Sequence, residues 1–157
     1  MKPHALPPSP SADAPLSEER RQAVHASFAR QGLMRQLGAE LLSVEAGCVE
    51  LRLPWSERVT QQQGGFHGGA MGALADIAGG YAAMTLVPEG SEVTTAEYKI
   101  NFLAAHAGGE LRARGTVVRA GRRLIVTQAE VVHLDEGGRE SPCALMQQTI
   151  VPVARQY

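Results

Sequence analysis

At 157 residues, the chain is long enough to bury one sizeable hydrophobic core, and its 44% of hydrophobic and 20% of charged residues are ordinary for a globular protein. A formal net charge of -1 and an aromatic content of 4% do not support nucleic-acid binding, because the positive charge is scattered along the sequence. The composition therefore predicts one globular domain without a nucleic-acid partner.

The N-terminal segment, residues 1–16, contains five prolines and no apolar run long enough for a signal peptide or a membrane span. We expect a disordered tail there, a single domain over residues 17–157, and no membrane association. Cys48 and Cys143 have no histidine or cysteine at ligand spacing, so two reduced thiols in a cytoplasmic protein are favoured over a disulfide. The histidines show no metal-ligand spacing, and neither a metal nor a cofactor is expected.

The first predicted element is a helix that begins after Ser17, a fair N-cap residue, and continues towards Gly32 with Val24 on its apolar stripe. A hairpin of two alternating strands follows, with its tight turn at Glu45-Ala46-Gly47. Pro54 ends this hairpin because proline cannot continue the ladder of hydrogen bonds.

The central element is a glycine-rich helix between Gly64 and Leu86, reached through a loop or short helical turn over residues 55–63. Its apolar arc suits packing on a sheet and contains Ala70, Leu74, Ile77, Ala78, Tyr81, Ala82 and Thr85. Asp76 points the other way, on a stripe almost without side chains that contains Gly69, Gly72, Gly80 and Ala83. Each glycine weakens a helix by about 1 kcal/mol relative to alanine, so the stripe indicates close approach of a ligand or of a second copy of the helix.

The N-terminal end of this helix is marked by His67-Gly68-Gly69, where the first backbone N–H groups have no intrahelical partner. These uncovered donors suit an anion, or a carbonyl oxygen that becomes negatively charged. Asp76 lies seven residues beyond Gly69, about 10 Å along the axis, which is too far for both to address one reacting carbon. We therefore expect two chains to pack with these helices antiparallel, so that Asp76 of one approaches Gly68 of the other.

Beyond Gly90 the pattern is strand throughout, with small residues marking the turns. Four strands are predicted, over Val93–Phe102, Glu110–Arg119, Leu124–Leu134 and Cys143–Val153. Hairpin-connected strands with one long, nearly uncharged helix between the second and the third strand indicate an α+β fold, in which an antiparallel sheet wraps around that helix.

Three motifs, His67-Gly68-Gly69, Leu74-Ala75-Asp76 and the segment Glu97–Leu103, together resemble the hotdog-fold acyl-CoA thioesterases of the phenylacetate-degradation (PaaI-like) type. The resemblance covers about residues 38–153. It implies a hotdog fold, hydrolysis of an acyl-CoA thioester with CoA present only as part of the substrate, and a homodimer or a tetramer of dimers.

The resemblance also implies catalytic roles for individual residues. The Gly68 N–H would polarise the thioester carbonyl, and Asp76 of the facing subunit would act as general base or nucleophile. The residue that positions the attacking water falls on Thr95, with Thr94 less favoured. The family commonly carries an asparagine six residues before the histidine, where this chain has Gln61; the same amide contact is open to the next two residues, Gln62 and Gln63.

Further residues are candidates for substrate contact. His67 either touches the substrate or braces the loop into the helix through its ring nitrogens. The turn at residues 119–123 is the densest positive cluster, and related enzymes hold the nucleotide near it, so CoA binding is assigned to Arg119, Gly121 and Arg122, together with Gly69 at the helix end. The acyl pocket is predicted to be lined by Phe66, Met71, Tyr81 and Phe102 or their neighbours.

Two other functions are weighed against hydrolysis of an aryl- or medium-chain acyl-CoA. A hotdog protein can bind acyl-CoA without turnover, but an ionisable group such as Asp76 beside the thioester argues for catalysis. A hotdog hydratase or dehydratase needs a histidine paired with an acid, and His67 with Asp76 across glycines does not resemble that arrangement. The sequence does not distinguish the acyl group, or a dimer from a tetramer.

Overall fold

The computed structural model describes residues 15–154, so most of the predicted N-terminal tail lies outside the described residues. The elements are α1 (Glu18–Ala29), α2 (Gly32–Leu37), β1 (Glu40–Glu45), β2 (Cys48–Pro54), a short 3-10 turn (Glu57–Val59), α3 (Gly68–Met84), β3 (Ser91–Phe102), β4 (Glu110–Ala120), β5 (Ile125–Leu134) and β6 (Glu140–Ala154). Apart from the additional helix α2, the predicted order of helices and strands is confirmed, and the last four strands lie within three residues of their predicted limits.

The N-terminal helical region differs from the prediction of one helix running towards Gly32. Ser17 caps α1 as expected, since its hydroxyl accepts a hydrogen bond from the Arg20 N–H at 3.2 Å. The helix then ends at Ala29, Gln31 is extended, and a separate six-residue helix, α2, ends at Gly38 with a left-handed φ of 80°. Gln31 is held in this break because its side chain donates a hydrogen bond to the Tyr81 hydroxyl of α3 at 3.0 Å.

The strands form one six-stranded antiparallel sheet in the order β1-β2-β4-β5-β6-β3, so β1 and β3 are its edges. The long helix α3 packs closely against this sheet at Gly115 of β4, where a Cβ atom would overlap the Ala78 backbone of the helix. A side chain at this position would separate helix from sheet. The structure thus confirms the predicted α+β class, an antiparallel sheet around one long helix.

The buried face of α3 agrees largely with the predicted arc, since Leu74, Ala78 and Ala82 are fully buried. The stripe beside Asp76 is confirmed at Gly72 and Gly80, where a Cβ atom would meet open space. It is wrong at Ala83, which is buried against the following residues and two strands because α3 ends beneath the sheet; its cluster contains Val87, Ile125 and Ile150.

Both cysteines are free thiols, with Cys48 half-buried and Cys143 buried. Burial raises the pKa of the Cys143 thiol to about 11. Among the described residues, no helix is long and apolar enough to cross a membrane, and no group of three or more metal-ligating side chains comes together.

Candidate active site

The site is centred on the carboxylate of Asp76, half-buried in the middle of α3. Its Oδ1 atom accepts a hydrogen bond from the Thr95 hydroxyl at 2.7 Å and another from the Gln148 amide at 2.7 Å. Thr95 stands on β3 beside a bulge between Thr95 and Glu97, where the pairing with β6 shifts by one residue. Both donors hold the same oxygen, and no described residue donates a hydrogen bond to Oδ2.

Gln148 is a site residue that the sequence reasoning missed. Its side chain is 0% exposed and lies on the inward face of β6, between the buried residues Met146 and Ile150. Strand alternation carried a signal for it, because every second residue of this strand faces the core and a glutamine among them requires polar partners. The partners are Asp76 and Thr127 of the neighbouring strand β5, whose hydroxyl donates to Gln148 Oε1 at 3.0 Å.

A cavity of about 350 Å³ opens beside Asp76. Its lining is mixed, with apolar side chains of α3 and β3 and polar groups of α1 and its connection to α2, and includes Ser27, Gln31, Ile77, Tyr81, Met84, Val93 and Thr95. The Tyr81 hydroxyl donates to Ser27 Oγ at 3.1 Å and accepts from Gln31 Nε2 at 3.0 Å, and burial raises the pKa of this phenol. The cavity is thus lined both by the hydrogen-bonded polar groups of Ser27, Gln31 and Tyr81 and by Asp76.

The four residues predicted to line the acyl pocket have different positions. Tyr81 lines the cavity, as expected. Phe66, which precedes the helix, and Met71 on its first turns belong to the buried core instead. Phe102 lies at the far end of β3, with its ring over the N-terminus of α3: a Cβ atom added to Gly68 would be 3.2 Å from the Phe102 ring.

At that N-terminus, His67 is the N-cap residue and its Nδ1 accepts a hydrogen bond from the Gly69 N–H at 2.7 Å. The ring therefore braces the loop into the helix, one of its two predicted roles, and takes up the donor at Gly69. No described residue accepts a hydrogen bond from the Gly68 N–H. Of the two predicted donors, the one at Gly68 stays available to a ligand.

The predicted amide residue Gln61 lies in the turn that leads to this helix. Its side chain bonds within that turn, where Oε1 accepts from the Gln63 N–H and Nε2 donates to Gln63 Oε1 at 3.4 Å. The Gln61 backbone N–H donates to the Gly65 carbonyl at 2.9 Å. The structure therefore places Gln61 in the turn before α3 and brings it into no direct contact with Asp76.

The predicted CoA-binding turn, with Arg119, Gly121 and Arg122, connects β4 to β5. Both arginines are exposed, and neither forms an ion pair with a described residue. Val117 and Ile125 at the base of this turn pack near the C-terminal end of α3. In one chain, the arginine turn and Gly68 therefore lie at opposite ends of α3, with Asp76 between them.

Within one chain, Gly68 and Asp76 are eight residues apart on α3, or about 12 Å along the axis. This distance separates the open N–H donor from the open carboxylate oxygen by more than one scissile bond can span. Within one chain, the Gly68 N–H and the carboxylate of Asp76 therefore do not meet.

Comparison with known proteins identifies similar chains. A model of the thioesterase superfamily matches residues 63–139, which include Asp76 and Thr95. A thioesterase family protein from Silicibacter pomeroyi has a solved structure that is 38% identical and matches 87% of this chain and 99% of its own, with a TM-score of 0.83.

Two more distant proteins extend this comparison. PaaI from the phenylacetic acid degradation operon of E. coli shares the fold, with a TM-score of 0.77 at 24% identity over 88% of this chain and 96% of its own. The 1,4-dihydroxy-2-naphthoyl-CoA hydrolase of Listeria monocytogenes is 29% identical over 100 residues, which are 64% of this chain and 81% of the relative.

Proposed function

This chain belongs to the thioesterase superfamily and is a thioester hydrolase of the hotdog fold, as its motifs predicted, and from that premise we propose that it hydrolyses an aryl- or medium-chain acyl-CoA to the free acid and CoA. The observation that carries the proposal is the carboxylate of Asp76, with Oδ1 fixed by two donors and Oδ2 unbonded beside a cavity of about 350 Å³. The name of the Listeria relative, an aryl-CoA hydrolase, favours a CoA ester.

The proposed chemistry is divided between two groups, the Gly68 N–H and the carboxylate of Asp76. The Gly68 N–H donates a hydrogen bond to the thioester carbonyl oxygen and stabilises the negative charge that develops there. In one route, Asp76 Oδ2 takes a proton from water, and the water oxygen attacks the carbonyl carbon. In the other, Asp76 Oδ2 itself attacks the carbonyl carbon to form an anhydride, which water then cleaves. In both routes the C–S bond breaks, and CoA leaves as the thiolate and takes up a proton.

A second copy of the chain is proposed to complete each site. Among the described residues, β3 pairs only with β6, so its outer edge keeps unpaired backbone groups. Large apolar side chains are exposed on or just beyond this strand, with Tyr98 48%, Phe102 54% and Leu103 59% exposed. A two-fold partner across this edge would cover them and bring its own α3 antiparallel, so that Gly68 of one chain faces Asp76 of the other. The assembly is a homodimer or a tetramer of such dimers.

The remaining parts of the substrate are assigned by charge and position. The exposed guanidinium groups of Arg119 and Arg122 suit the phosphates of CoA, which arginine binds with paired hydrogen bonds. We also propose a cytoplasmic location, since both cysteines are free thiols and a reducing compartment keeps them so.

The test measures thiol release from a panel of aryl and aliphatic acyl-CoAs by the wild type, Asp76→Asn and the matched control Asp135→Asn. Asp135 is an exposed residue in the turn between β5 and β6. Asparagine keeps the side-chain oxygen that accepts hydrogen bonds from two backbone N–H groups of this turn. We expect Asp76→Asn to lower kcat by about 100-fold or more because it removes the base or nucleophile, with the control unchanged. Tight acyl-CoA binding without thiol release by the wild type would establish a binding protein and reject the proposal.

A further inference from the structure

We propose that Gln148 is a positioning residue for the reaction: it holds the carboxylate of Asp76 by Oδ1 so that Oδ2 faces the substrate. This inference rests on the proposed function of Asp76. Gln148 Nε2 lies 2.7 Å from Asp76 Oδ1 and 3.1 Å from the Asp76 backbone oxygen, while its Oε1 lies 3.0 Å from the Thr127 hydroxyl.

The chemistry of these partners fixes which way the amide of Gln148 points. Both atoms of Asp76 that it approaches are acceptors, so the NH₂ group must face them, and the opposite orientation would place oxygen against oxygen. The Thr127 hydroxyl can rotate and therefore donates to Oε1. Both amide protons and one oxygen lone pair are thus used, and the side chain has a single arrangement that satisfies it.

Packing holds the side chain of Gln148 in this arrangement. Gln148 and Thr127 are both 0% exposed, and they pair directly across β5 and β6. Gly79 of α3 makes room for the amide, since a Cβ atom there would overlap Gln148 Oε1 and lie 2.9 Å from Thr127 Oγ1. The helix that carries Asp76 thus lacks a side chain at the position where the glutamine needs space.

The arrangement orients the carboxylate from two sides. Thr95 approaches Oδ1 from β3 and Gln148 approaches it from β6, so rotation about the last side-chain bond of Asp76 would break both hydrogen bonds. A fixed carboxylate presents Oδ2 in one direction, and misplacement of a reacting atom by about 1 Å can lower a rate by about 100-fold. Gln148 acts through Asp76 and need not touch the substrate.

The experiment compares Gln148→Met with the matched control Gln147→Met, in steady-state thiol release from the best acyl-CoA. Methionine keeps the volume and removes all three side-chain hydrogen bonds of Gln148. Gln147 precedes Gln148 on the same strand but faces solvent. We expect kcat to fall by about 10- to 100-fold in Gln148→Met, because a hydrogen bond to a charged group is lost. KM should stay within about two-fold, and Gln147→Met should behave as the wild type.

A purely structural role is distinguished by repeating Gln148→Met in the Asp76→Asn background, with enzyme in excess so that the residual rate is measurable. If Gln148 acts through Asp76, the second substitution lowers the residual rate no further. A multiplicative loss in that background, or an unchanged kcat in the single variant, overturns the inference while leaving hydrolysis by Asp76 intact. A wild type that releases no thiol overturns both.

Thr127→Val keeps the test decisive if Gln148→Met does not fold. This variant retains Gln148 and removes only the hydroxyl that anchors its Oε1. We expect a smaller decrease in kcat, about 3- to 10-fold, again absent in the Asp76→Asn background. A Thr127→Val enzyme with wild-type kcat, or with the same loss in both backgrounds, would contradict the role assigned to Gln148.

Discussion

Thr95 holds Asp76 from the side of the open sheet edge. Its hydroxyl is the other donor to Oδ1, and it lies where the bulge in β3 changes the direction of the strand's side chains. The sequence reasoning assigned Thr95 to the attacking water by resemblance. In the structure the Thr95 hydroxyl donates its hydrogen bond to the carboxylate of Asp76. The hydroxyl oxygen keeps two lone pairs, with which it can accept a hydrogen bond from water.

Thr95→Val tests this hydroxyl with little change in shape. Valine cannot donate to Oδ1, so we expect kcat to fall by about 10-fold while the protein stays folded. The matched control is Thr149→Val on β6, whose hydroxyl bonds to Glu97 away from the carboxylate. Steady-state thiol release measures both variants, and equal rates for Thr95→Val and Thr149→Val would show that the bond to Asp76 does not contribute.

Neighbouring glycines of α3 differ in what a side chain would meet. A Cβ atom at Gly79 would overlap Gln148 Oε1, whereas one at Gly80 would meet nothing within 4 Å. We therefore expect Gly79→Ala to lower the free energy of unfolding by about 2 kcal/mol or more, through overpacking at a buried polar group. Gly80→Ala, which improves helix propensity and meets no atom of its own chain, should raise it by about 0.5–1 kcal/mol. Urea titrations measure both, and equal effects would contradict the packing described at Gly79.

At this scale the sequence identifies the groups that bear charge and misses those that support them. Asp76 is predictable because a carboxylate on a glycine-lined helix stripe has few structural reasons to be there. Gln148 and Gly79 are separated by 69 positions in the sequence and come into contact only because β6 packs against α3. Gly79 resembles its glycine neighbours, and strand alternation marks Gln148 as an inward-facing polar residue without indicating which residue it contacts.

At the scale of elements, the loop between β3 and β4 supports the entry to α3. The His106 carbonyl accepts a hydrogen bond from the Phe66 N–H at 2.9 Å, one residue before the N-cap His67. The His106 ring stacks on His133 of β5, with centroids 4.4 Å apart and planes 9° from parallel. His133 in turn bonds through Nε2 to the Gly108 carbonyl at 2.9 Å. The two imidazoles thus join the loop to β5, and the His106 carbonyl joins the loop to the segment before α3.

This histidine pair predicts a loss of stability in acid. Burial, and then the adjacent His133, lower the pKa of His106 below its usual 6.5, so the unfolded chain takes up a proton more readily than the folded one. The stabilising contribution is complete above about pH 6.5 and decreases as the pH falls towards the folded pKa. We expect the urea midpoint of the wild type to fall between about pH 7.5 and pH 5.5.

The control for this prediction removes the titrating group and keeps a ring in the stack. In His106→Phe the fall in the urea midpoint should be smaller than in the wild type, because phenylalanine does not titrate. His25→Gln, at an exposed position on α1, should retain the full wild-type fall. The same pH dependence in all three proteins would show that another group is responsible.

The strands were predictable as elements because alternating apolar residues and glycine turns mark their limits. The break between α1 and α2 was not, because it depends on a long-range bond from Gln31 to Tyr81, and a six-residue helix leaves little periodicity to detect. Ala83 was misassigned for a related reason: helical spacing defines a face, but only tertiary packing decides where the sheet covers it.

At the scale of the whole molecule, the helix length separates the two chemical groups. Gly68 and Asp76 lie about 12 Å apart along α3, with the Phe102 ring close to Gly68 and the cavity beside Asp76. The edge strand β3 runs beside both, with Thr95 near Asp76 and Phe102 over Gly68. A partner related by a two-fold axis across that edge would reverse this order and juxtapose unlike ends, which gives the molecule two equivalent sites.

A variant that lacks the Gly68 N–H can be made without destroying the helix. Gly68 is the first residue of α3, where proline is favoured, and His67 before it is extended with φ -70° and ψ 136°, a conformation that proline accepts in its predecessor. Gly68→Pro therefore removes the donor and keeps the helix start, and it requires the Phe102 ring, 3.2 Å from the added Cβ position, to shift by only a few tenths of an ångström. We expect the homodimers of Gly68→Pro and of Asp76→Asn each to lose at least about 100-fold in kcat.

Combining the two defects in one dimer then tests whether the site is shared between subunits. The two chains are co-expressed with different affinity tags, and the heterodimer is isolated by tandem capture. If each site takes Gly68 from one chain and Asp76 from the other, one site is intact and the other has both defects, so about half of the wild-type rate per dimer returns. A heterodimer of Asp76→Asn with the wild type gives the reference rate for one working site. If the mixed-defect heterodimer is as inactive as its parents, each site is built within a single chain, because every chain then carries one defect.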